Sequence, residues 1–422
     1  MALTLSIFAL TIILIMTRPR PFNEATAALL GAVLMLATSI VSPSQAFGVL
    51  KDIDNILLFF LGLMVICVVA DRAGFFEWCA SKAVKLAGGK GLKLLLVLFG
   101  LGTIITTFFS NDATALVLTP IVYVTVTRLK LNPLPYVFAC AFIANTASMM
   151  LPISNPVNLL PVDGFGITLG EYLRFLLLPT ILAITINVVL FILIFRKVIS
   201  ASFNFDCTGF AVKVDRFFIF TCIGLILTAI GYIVTSVYGL PLSWPALGGA
   251  VLLLTGSFVF RRINLRGVNS GISWSILLFI FSLALLVKGL ENAGVTEALG
   301  RAMADLSSQN TLGAIVATSF GTAVGSNLIN NWSMMMVSVS SISEISNSVA
   351  ASGQALIYSS IIGADLGPNI TIIGSLSSML WLVLLRQRGL NIHPMQYFKL
   401  GLIVTPPMLI IGALSLYLCS LL

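Results

Sequence analysis

The apolar stretch 355–385 is interrupted near its centre by Asp365-Leu366-Gly367-Pro368-Asn369, and the apolar stretch 136–161 is interrupted by Ser154-Asn155-Pro156-Val157-Asn158. A helix that crosses about 30 Å of hydrocarbon needs about 20 predominantly apolar residues, and a proline near its centre breaks or kinks it. Broken backbone at membrane depth is tolerated only where it is buried in protein or lines a cavity. The two interruptions therefore predict a membrane protein that is built around a central polar site.

The composition of the chain excludes a soluble globular protein. Of its 422 residues, 58% are hydrophobic and 9% are charged, and the mean hydropathy is +1.07, whereas soluble chains carry about 25% charged residues. No polar stretch is long enough to form a catalytic domain outside the membrane, and Gly88-Gly89-Lys90-Gly91 lacks the spacing of a phosphate-binding loop. We therefore predict an all-α polytopic membrane protein that lies in a lipid bilayer, is no enzyme and binds no nucleic acid.

The cysteines and the single histidine predict neither a cofactor nor a metal site. The six cysteines show no CxxC spacing, and His393 lies alone in a basic loop beside Pro394. A zinc site or a disulfide framework would need a cluster of such residues. We expect most of the cysteines to be apolar packing residues.

An internal repeat divides the chain into two halves, and its residues return 220 positions later. Such self-similarity is the signature of a repeated structural unit. The clearest matches are Ile56-Leu57-Leu58-Phe59 with Ile276-Leu277-Leu278-Phe279, Asn111 with Asn331, and Asn145 with Asp365. Outside this block the offset drifts, so that Tyr172 matches Tyr397. We predict a first repeat at residues 1–200, a cytoplasmic linker at 201–216, and a second repeat at 217–422.

The apolar stretches predict ten membrane spans and two re-entrant hairpins. The hairpins are the stretches 93–127 and 312–345, each of which contains two short helices separated by Asn-rich polar residues. The ten spans are residues 2–17, 23–42, 53–70, 136–161, 173–195, 217–237, 244–260, 273–290, 355–385 and 400–420.

The basic residues predict the orientation, because Lys and Arg accumulate in cytoplasmic loops. With the N-terminus outside, 19 of the 23 basic residues fall on the cytoplasmic side. They are Arg18, Arg20, Arg72, Lys82, Lys85, Lys90, Lys93, Arg128, Lys130, Arg196, Lys197, Lys213, Arg216, Arg261, Arg262, Arg266, Arg386, Arg388 and Lys399. Five spans in each half invert the second repeat relative to the first and place both termini in the periplasm. Inverted-topology repeats with broken helices are typical of secondary transporters, whose sites lie at the repeat interface.

Asp112 and Asp365 are the two carboxylates that this topology places deepest in the membrane. An aspartate at a helix centre costs about 2.5 to 3.5 kcal/mol on insertion, and such a cost suggests a function. Burial favours the neutral carboxyl group and helix-end N–H groups favour the charged one, so a group between these influences can bind and release protons. We predict that both aspartates carry coupling protons; the alternative is that each serves only as a helix cap.

Amide and hydroxyl side chains at the interruptions are predicted to line the substrate cavity, although such residues often only cap helix ends. No Lys or Arg falls in the interruptions, so a small neutral polyhydroxyl molecule or a cation fits them better than a multiply charged anion. The predicted lining residues are Asn111, Asn145, Ser148, Asn155, Asn158, Asn330, Asn331, Thr371 and Ser375.

At these residues the chain resembles the ArsB family of arsenite and antimonite efflux permeases, within the ion transporter superfamily. The resemblance runs through nearly the whole chain and is most specific between Asp365 and Trp381. The stretches that carry it are Gly74-Phe75-Phe76-Glu77-Trp78, Asn111-Asp112-Ala113, Leu118-Thr119-Pro120-Ile121-Val122, Thr146-Ala147-Ser148, Ser154-Asn155, Val157-Asn158, Asn330-Asn331, Asp365-Leu366-Gly367-Pro368, Ile370-Thr371 and Ile373-Gly374-Ser375-Leu376.

The resemblance implies export of arsenite and antimonite, as neutral trivalent hydroxides, in exchange for protons, with arsenic resistance as the result. It also implies a bacterial inner membrane location, a scaffold and a transport domain that move in an elevator-like manner, and a soluble arsenite-stimulated ATPase as an optional partner. Because arsenic(III) favours thiols, Cys140 near the first interruption is a candidate ligand, and we interpret it instead as a packing residue.

Two positions depart from the family pattern. We expect the family to show Ala-Asp-Thr-Ala-Ser where this chain has Ala144-Asn145-Thr146-Ala147-Ser148, and a smaller residue where it has Trp332. The first departure leaves the proton stoichiometry open. Two other transporters of the superfamily remain as alternatives, namely a sodium/proton antiporter and a sodium-coupled carboxylate transporter. A receptor or scaffold that transports nothing is the alternative from a different class.

Overall fold

The structure, a computed structural model, describes residues 1–17, 19, 23–203, 214–262, 265–345 and 350–421. These residues form helices throughout and no β-strand, apart from one isolated bridge between Lys90 and Ser202. The predicted all-α class is therefore confirmed for the described part of the chain. Most of the predicted linker 201–216 lies outside the described residues.

The helices follow one another with short connections. The α-helices are Ala2–Thr17, Glu24–Ala37, Pro43–Asp52, Asp54–Arg72, Phe75–Ala87, Gly91–Phe108, Asn111–Ala113, Thr119–Arg128, Leu134–Thr146, Leu159–Phe165, Leu169–Ile199, Arg216–Val237, Ser243–Val259, Leu265–Gly271, Trp274–Asn292, Val295–Gln309, Thr311–Ile329, Asn331–Ile345, Ala350–Leu366, Leu376–Gln387 and Pro394–Leu421. In the described ranges, seven helices are long and apolar enough to cross a membrane, and five shorter ones are also apolar. The chain is thus a multi-pass membrane protein; the number of crossings stays a prediction.

Both predicted broken spans are broken in the structure. After Leu134–Thr146 the chain passes through three 3₁₀ segments, Ala147–Met149, Pro152–Ser154 and Pro156–Asn158, before Leu159–Phe165 begins. After Ala350–Leu366 it passes through Gly367–Asn369 and Ile372–Gly374 before Leu376–Gln387 begins. Prolines stand at the starts of three of these segments, where the missing N–H costs least. We call residues 134–165 the first broken span and residues 350–387 the second.

The two stretches predicted as hairpins each form a pair of helices joined by one sharp turn. We call residues 91–128 the first helix pair, which turns at Ser110, and residues 311–345 the second, which turns at Asn330. Both turn residues have positive φ, 145° at Ser110 and 71° at Asn330. A non-glycine residue in such a conformation costs about 1–3 kcal/mol and persists only where its surroundings hold it there. The two turns lie 220 residues apart, as the repeat predicts.

The first helix pair contains a feature that the second lacks in the described residues. A π-helical segment, Thr114–Leu118, follows the turn and ends at Thr119-Pro120. The Thr119 hydroxyl donates to the carbonyl oxygen of Thr114 at 3.1 Å, and Pro120 has no N–H to continue the usual ladder. The equivalent arm of the second pair, Asn331–Ile345, is a regular α-helix.

The helices pack into two groups. The peripheral group consists of Ala2–Thr17, Glu24–Ala37, Asp54–Arg72, Arg216–Val237, Ser243–Val259 and Trp274–Asn292, which pack mainly on one another. The central group consists of the two helix pairs, the two broken spans and the long helices Leu169–Ile199 and Pro394–Leu421. The central group therefore contains every interruption that the sequence identifies as a candidate site.

Aromatic side chains hold the two broken spans against the last helix. Trp381 is fully buried, its indole N–H donates to the Val137 carbonyl oxygen at 2.9 Å, and its ring lies 5.4 Å from that of Phe138 and 5.6 Å from that of Tyr397. The Phe142 ring lies 5.2 Å from the same tyrosine. Aromatic contacts of this kind contribute about 0.5–1.5 kcal/mol each beyond the burial of their area. The centre of the molecule is thus fixed by rings from three helices.

The substitution Gly401→Ala tests the packing of the last helix on the second broken span. A Cβ atom at Gly401 would clash with the backbone of Asn369 and Ile370, and overpacking of this kind costs about 1–3 kcal/mol. We expect a lower melting temperature for the detergent-purified protein. Gly248→Ala is the matched control, because Gly248 lies in a helix and a Cβ there meets nothing within 4 Å; it should leave stability unchanged or raise it. Equal stability of the two variants would contradict this packing.

Candidate functional site

The Asp365 side chain lies at the centre of the molecule with 1% of its surface exposed. Its two carboxylate oxygens accept hydrogen bonds from the first broken span, one from the Asn155 amide at 2.6 Å and one from the Asn158 amide at 2.9 Å. The Asn158 amide nitrogen also lies 3.2 Å from the Tyr172 hydroxyl and 3.0 Å from the Ser148 carbonyl oxygen. We call Asp365, Asn155, Asn158 and Tyr172 the carboxylate cluster.

The Asn145 side chain is buried in a second cluster. Its amide nitrogen donates to Ser378 Oγ and to Asn369 Oδ1, both at 3.1 Å, and its amide oxygen accepts from Ser375 Oγ at 3.4 Å. Ser375 Oγ also donates to Ser378 Oγ at 2.9 Å, and Ser378 Oγ lies 3.2 Å from the Tyr397 hydroxyl. That hydroxyl donates to the Pro368 carbonyl oxygen at 3.1 Å. We call Asn145, Ser375, Ser378 and Tyr397 the amide cluster.

The two clusters are copies of each other under the sequence repeat. Asn145 and Asp365 are 220 residues apart, as are Asn155 and Ser375, and so are Asn158 and Ser378; the tyrosines are the matched pair of the drifting repeat. In each cluster the residue that ends a helix bonds to side chains of the other half of the chain. The polar groups of each broken span are therefore satisfied only when both halves are folded together.

Asp112 follows the turn of the first helix pair and is half-buried. Ser110 Oγ accepts from the Ala113 N–H at 3.2 Å and so caps the arm that follows, and Asn111 Oδ1 accepts from the Asp112 N–H at 2.9 Å. The Asp112 carboxylate accepts from Ser377 Oγ at 2.6 Å. Because Ser377 precedes Ser378, the turn is tied to the second broken span beside the amide cluster.

The turn of the second helix pair is organised by Asn327. Its oxygen accepts from the Thr371 N–H at 2.9 Å and from the Thr371 hydroxyl at 2.6 Å, and its nitrogen donates to the Gly367 carbonyl oxygen at 2.8 Å. Asn330 donates to the Ile373 carbonyl oxygen at 3.3 Å. Trp332, the repeat counterpart of Asp112, is buried with its ring 6.1 Å from that of Phe60 in the peripheral group.

The predicted lining residues thus fall into two sets. Asn145, Ser148, Asn155, Asn158 and Ser375 lie in or beside the two clusters. Asn330, Asn331 and Thr371 lie at the turn of the second helix pair, and Asn111 lies at the turn of the first. Two buried oxygens in these sets, Asn158 Oδ1 and Asn331 Oδ1, have no hydrogen-bond partner in the structure.

Sequence reasoning missed five residues that complete the network. They are Tyr172, Asn369, Ser377, Ser378 and Tyr397. The repeat points to three of them: Ser378 is the counterpart of the predicted residue Asn158, and Tyr172 and Tyr397 are counterparts of each other. Ser377 has no such signal, since its counterpart is Val157.

One cavity between the two helix groups lies away from both clusters. It has a volume of about 410 Å³ and separates the peripheral group, at Ile56 and Lys288, from the central group, at Asp163 and Met336. Two contacts cross between the groups there: the Asn55 amide donates to Asp163 at 2.6 Å, and the Ser340 hydroxyl donates to Glu291. Glu291 also pairs with Lys288, three residues earlier on the same helix, at 2.8 Å.

In the part of the chain that the structure describes, no three or more His, Cys, Asp or Glu side chains form a group that could hold a metal ion. Cys140 is 1% exposed on the first broken span, packed within the apolar core. The polar centre is thus made of amides, hydroxyls and carboxylates.

A helical multi-pass protein with paired broken helices and a buried polar centre has the architecture that is typical of secondary transporters, and two solved structures share its fold. The *Alcanivorax borkumensis* YdaH transporter is similar over 98% of this chain and 96% of its own, with a TM-score of 0.63 at 15% identity. The structure of Neisseria gonorrhoeae MtrF, from a class of antimetabolite efflux pumps, is similar over 98% of this chain and 94% of its own, with a TM-score of 0.58 at 12% identity.

Sequence comparison then gives the family. The family model described as "ArsB: Arsenical pump membrane protein" matches residues 3–420. An "Arsenical pump membrane protein" of *Escherichia coli* K12 is 35% identical over 99% of this chain and 98% of its own length, and a "Putative arsenical pump membrane protein" of *Bacillus subtilis* is 26% identical over 97% and 98%. The chain belongs to the ArsB family, which confirms the resemblance seen in its sequence.

A double-mutant cycle tests the bond between the two halves. Asn158→Ala removes one donor from the Asp365 carboxylate, and this loss should matter much less once the carboxylate is gone in Asp365→Asn. We expect the two effects on thermal unfolding to be non-additive by about 0.5–3 kcal/mol. The control cycle combines Asn158→Ala with Glu297→Gln, which changes an exposed residue that pairs with Arg301, and should be additive. Additive effects in the first cycle would show that the bond does not form.

Proposed function

We propose that this chain exports arsenite and antimonite, as neutral trivalent hydroxides, across a bacterial inner membrane in exchange for protons, and so confers arsenic resistance. Membership of the ArsB family, together with 35% identity to curated arsenical pump membrane proteins, supports the cargo and the direction. A centre built of amides and hydroxyls supports a neutral cargo, because it offers hydrogen-bond donors and acceptors but no Lys or Arg to neutralise an anion.

The observation that carries ion coupling is the buried Asp365 carboxylate. The groups that donate to it are neutral amides, and the described ion pairs of the chain involve other residues. A buried charge is costly unless it is paired or neutralised, so this carboxyl group gains from binding a proton. The unpartnered Asn158 Oδ1 beside it can accept the O–H of the protonated group once the amide turns.

Asp112 is the second proposed proton carrier. It stands between a turn of the first helix pair and Ser377 of the second broken span. Transport then follows if protons and cargo stabilise the inward-facing and outward-facing states to different extents. The central group would be the moving body and the peripheral group the scaffold, with ten spans and the two helix pairs as re-entrant hairpins. A soluble ATPase subunit is a further proposed partner, because such an enzyme could drive the same permease.

Uptake of arsenite into inverted vesicles tests the function. With an acidic vesicle interior, we expect accumulation that depends on the pH difference and not on sodium. Asp365→Asn and Asp112→Asn should each reduce pH-driven uptake to that of vesicles without the protein. Glu297→Gln, which removes an exposed carboxylate of a surface pair worth little, is the matched control and should transport normally.

The outcomes of the uptake experiment separate the alternatives. Uptake driven by sodium rather than by pH would favour the sodium-coupled transporters. Absence of arsenite flux under every gradient would overturn the proposed cargo.

Reporter fusions test the proposed orientation. If both termini are periplasmic, alkaline phosphatase fused after Leu422 should be active and green fluorescent protein should be dark. The same reporters fused after Lys197, which is predicted to be cytoplasmic, should behave in the opposite way. Fluorescence from the C-terminal fusion would contradict the ten-span arrangement.

A further inference from the structure

The two pseudo-equivalent clusters differ at one chemically decisive position. The first half contributes a neutral amide, Asn145, where the second half contributes the carboxylate of Asp365. Each is the penultimate residue of a helix that precedes a 3₁₀ segment, and each bonds to residues 10 and 13 positions after its counterpart in the other half. The backbone therefore presents two equivalent places for an ion-binding group, and this chain fills one of them with an amide.

The partners of Asn145 do not require an amide. Serine and tyrosine hydroxyls can each donate one hydrogen bond and accept others. In the observed arrangement Ser375 donates toward the Asn145 oxygen, and Ser378 accepts from the Asn145 nitrogen. If Ser378 rotates its proton away from Tyr397, both serines donate to position 145. Asn369, whose oxygen now accepts from Asn145, can donate once its own amide turns.

A hydroxyl cluster can thus hold a carboxyl group in either protonation state. An ionised group accepts from the serines, and a protonated one donates to a serine or to Asn369. In the carboxylate cluster the amides of Asn155 and Asn158 play the donor role. Both clusters can therefore donate hydrogen bonds to a carboxyl group, one from amides and the other from hydroxyls.

The titratable groups near Asn145 are acids rather than bases. The buried ones on the helices packed against it include the Tyr397, Tyr172, Tyr136 and Tyr358 phenols, the Cys140 thiol and the Asp365 carboxyl group. The half-buried Asp112 carboxyl group lies beside the amide cluster, where it accepts from Ser377 Oγ at 2.6 Å, and Glu171 is exposed. The basic residues of those same helices are exposed near the helix ends; they are Arg174, Arg196, Lys197, Arg386 and Lys399. No described cation is therefore placed to hold a carboxylate at position 145 permanently ionised.

We propose that Asn145 limits the ion coupling of this transporter: the amide cluster is a second, unused carboxyl site, and an aspartate at position 145 adds one proton to each transport cycle. The inference rests on the proposed proton exchange. According to this inference, the residue at position 145 determines how many protons are exchanged for each cargo molecule. It also predicts that the carboxyl group can be moved between the two halves.

The number of exchanged protons is measured from the arsenite ratio that vesicles reach at steady state. With the membrane potential clamped to zero, each exchanged proton multiplies that ratio by about tenfold for each unit of pH difference. Inverted vesicles with the natural chain and with Asn145→Asp are compared at several imposed pH differences. We expect the variant to gain a further factor of about ten per pH unit over the natural chain.

The exchanged variant Asn145→Asp/Asp365→Asn provides the second measurement. It has the same composition of ionisable groups as the natural chain, but the carboxyl group lies in the other cluster. We expect it to transport with the natural dependence on pH, whereas Asp365→Asn alone does not. A dead double variant would overturn the equivalence of the two clusters.

Asn187→Asp is the matched control. Asn187 is fully buried, donates to the Thr146 hydroxyl next to Asn145, and has an amide oxygen without a hydrogen-bond partner among the described residues. It should not change the dependence on pH. If it adds the same factor as Asn145→Asp, any buried carboxyl group suffices and the role of the cluster is wrong.

The remaining outcomes separate this inference from the proposed function. If the natural chain shows no pH-driven arsenite uptake, the proposed function fails. If the natural chain transports and Asn145→Asp keeps the natural dependence on pH, only this inference fails. A variant Asn145→Asp that does not fold also overturns it, because the inference states that the hydroxyl cluster accommodates the carboxyl group.

Discussion

The hydrogen bonds between Asp365 and the amides of Asn155 and Asn158 are the interaction on which the centre of this molecule depends. A carboxylate taken out of water costs several kcal/mol unless other groups replace its hydration. Here the replacement comes from residues more than 200 positions away in the chain. The broken backbone on both sides is subject to the same requirement, because lipid cannot satisfy its polar groups. Each half of the chain therefore supplies what the other half lacks.

This dependence explains why the interruptions occur in the central group and why the helices of the peripheral group are unbroken. Helices such as Asp54–Arg72 and Ser243–Val259 satisfy their own backbone and need only pack. The two broken spans lie against the helix pairs and the long helices, whose turns and side chains provide caps. Gly363, Gly367 and Gly401 permit the close backbone contacts that this arrangement requires, since a Cβ at any of them would clash with a neighbouring chain segment.

Much of the architecture could be predicted from the sequence, because the causes are local. Proline in the apolar stretches 136–161 and 355–385, joined by glycine in the second, places the breaks, and Ser110 and Asn330 fall at the turns of the stretches predicted as hairpins. The pairing of side chains could not be predicted in the same way. Which serine Asp112 meets, or whether Thr371 faces Asp365 or Asn327, depends on how the broken spans cross in three dimensions. The repeat contained part of that answer, since Ser378 stands 220 residues after Asn158, but the offset alone does not say that counterparts bond across the halves.

The π-helical segment Thr114–Leu118 gives the first helix pair a property that its counterpart lacks. A π turn accommodates one residue more than an α turn. If the segment tightened to α geometry, the residues before it would rotate by about 100° and shift by about 1.5 Å relative to those after it. Asp112 lies in the short helix just before the π-helical segment, so the orientation of its carboxylate relative to the following arm depends on whether that turn is π or α. Rewinding of this one turn would therefore reorient Asp112 without moving the rest of the first helix pair. In the second helix pair, Trp332 packs on Phe60 and a regular α-helix follows it, so the turn moves together with the whole arm.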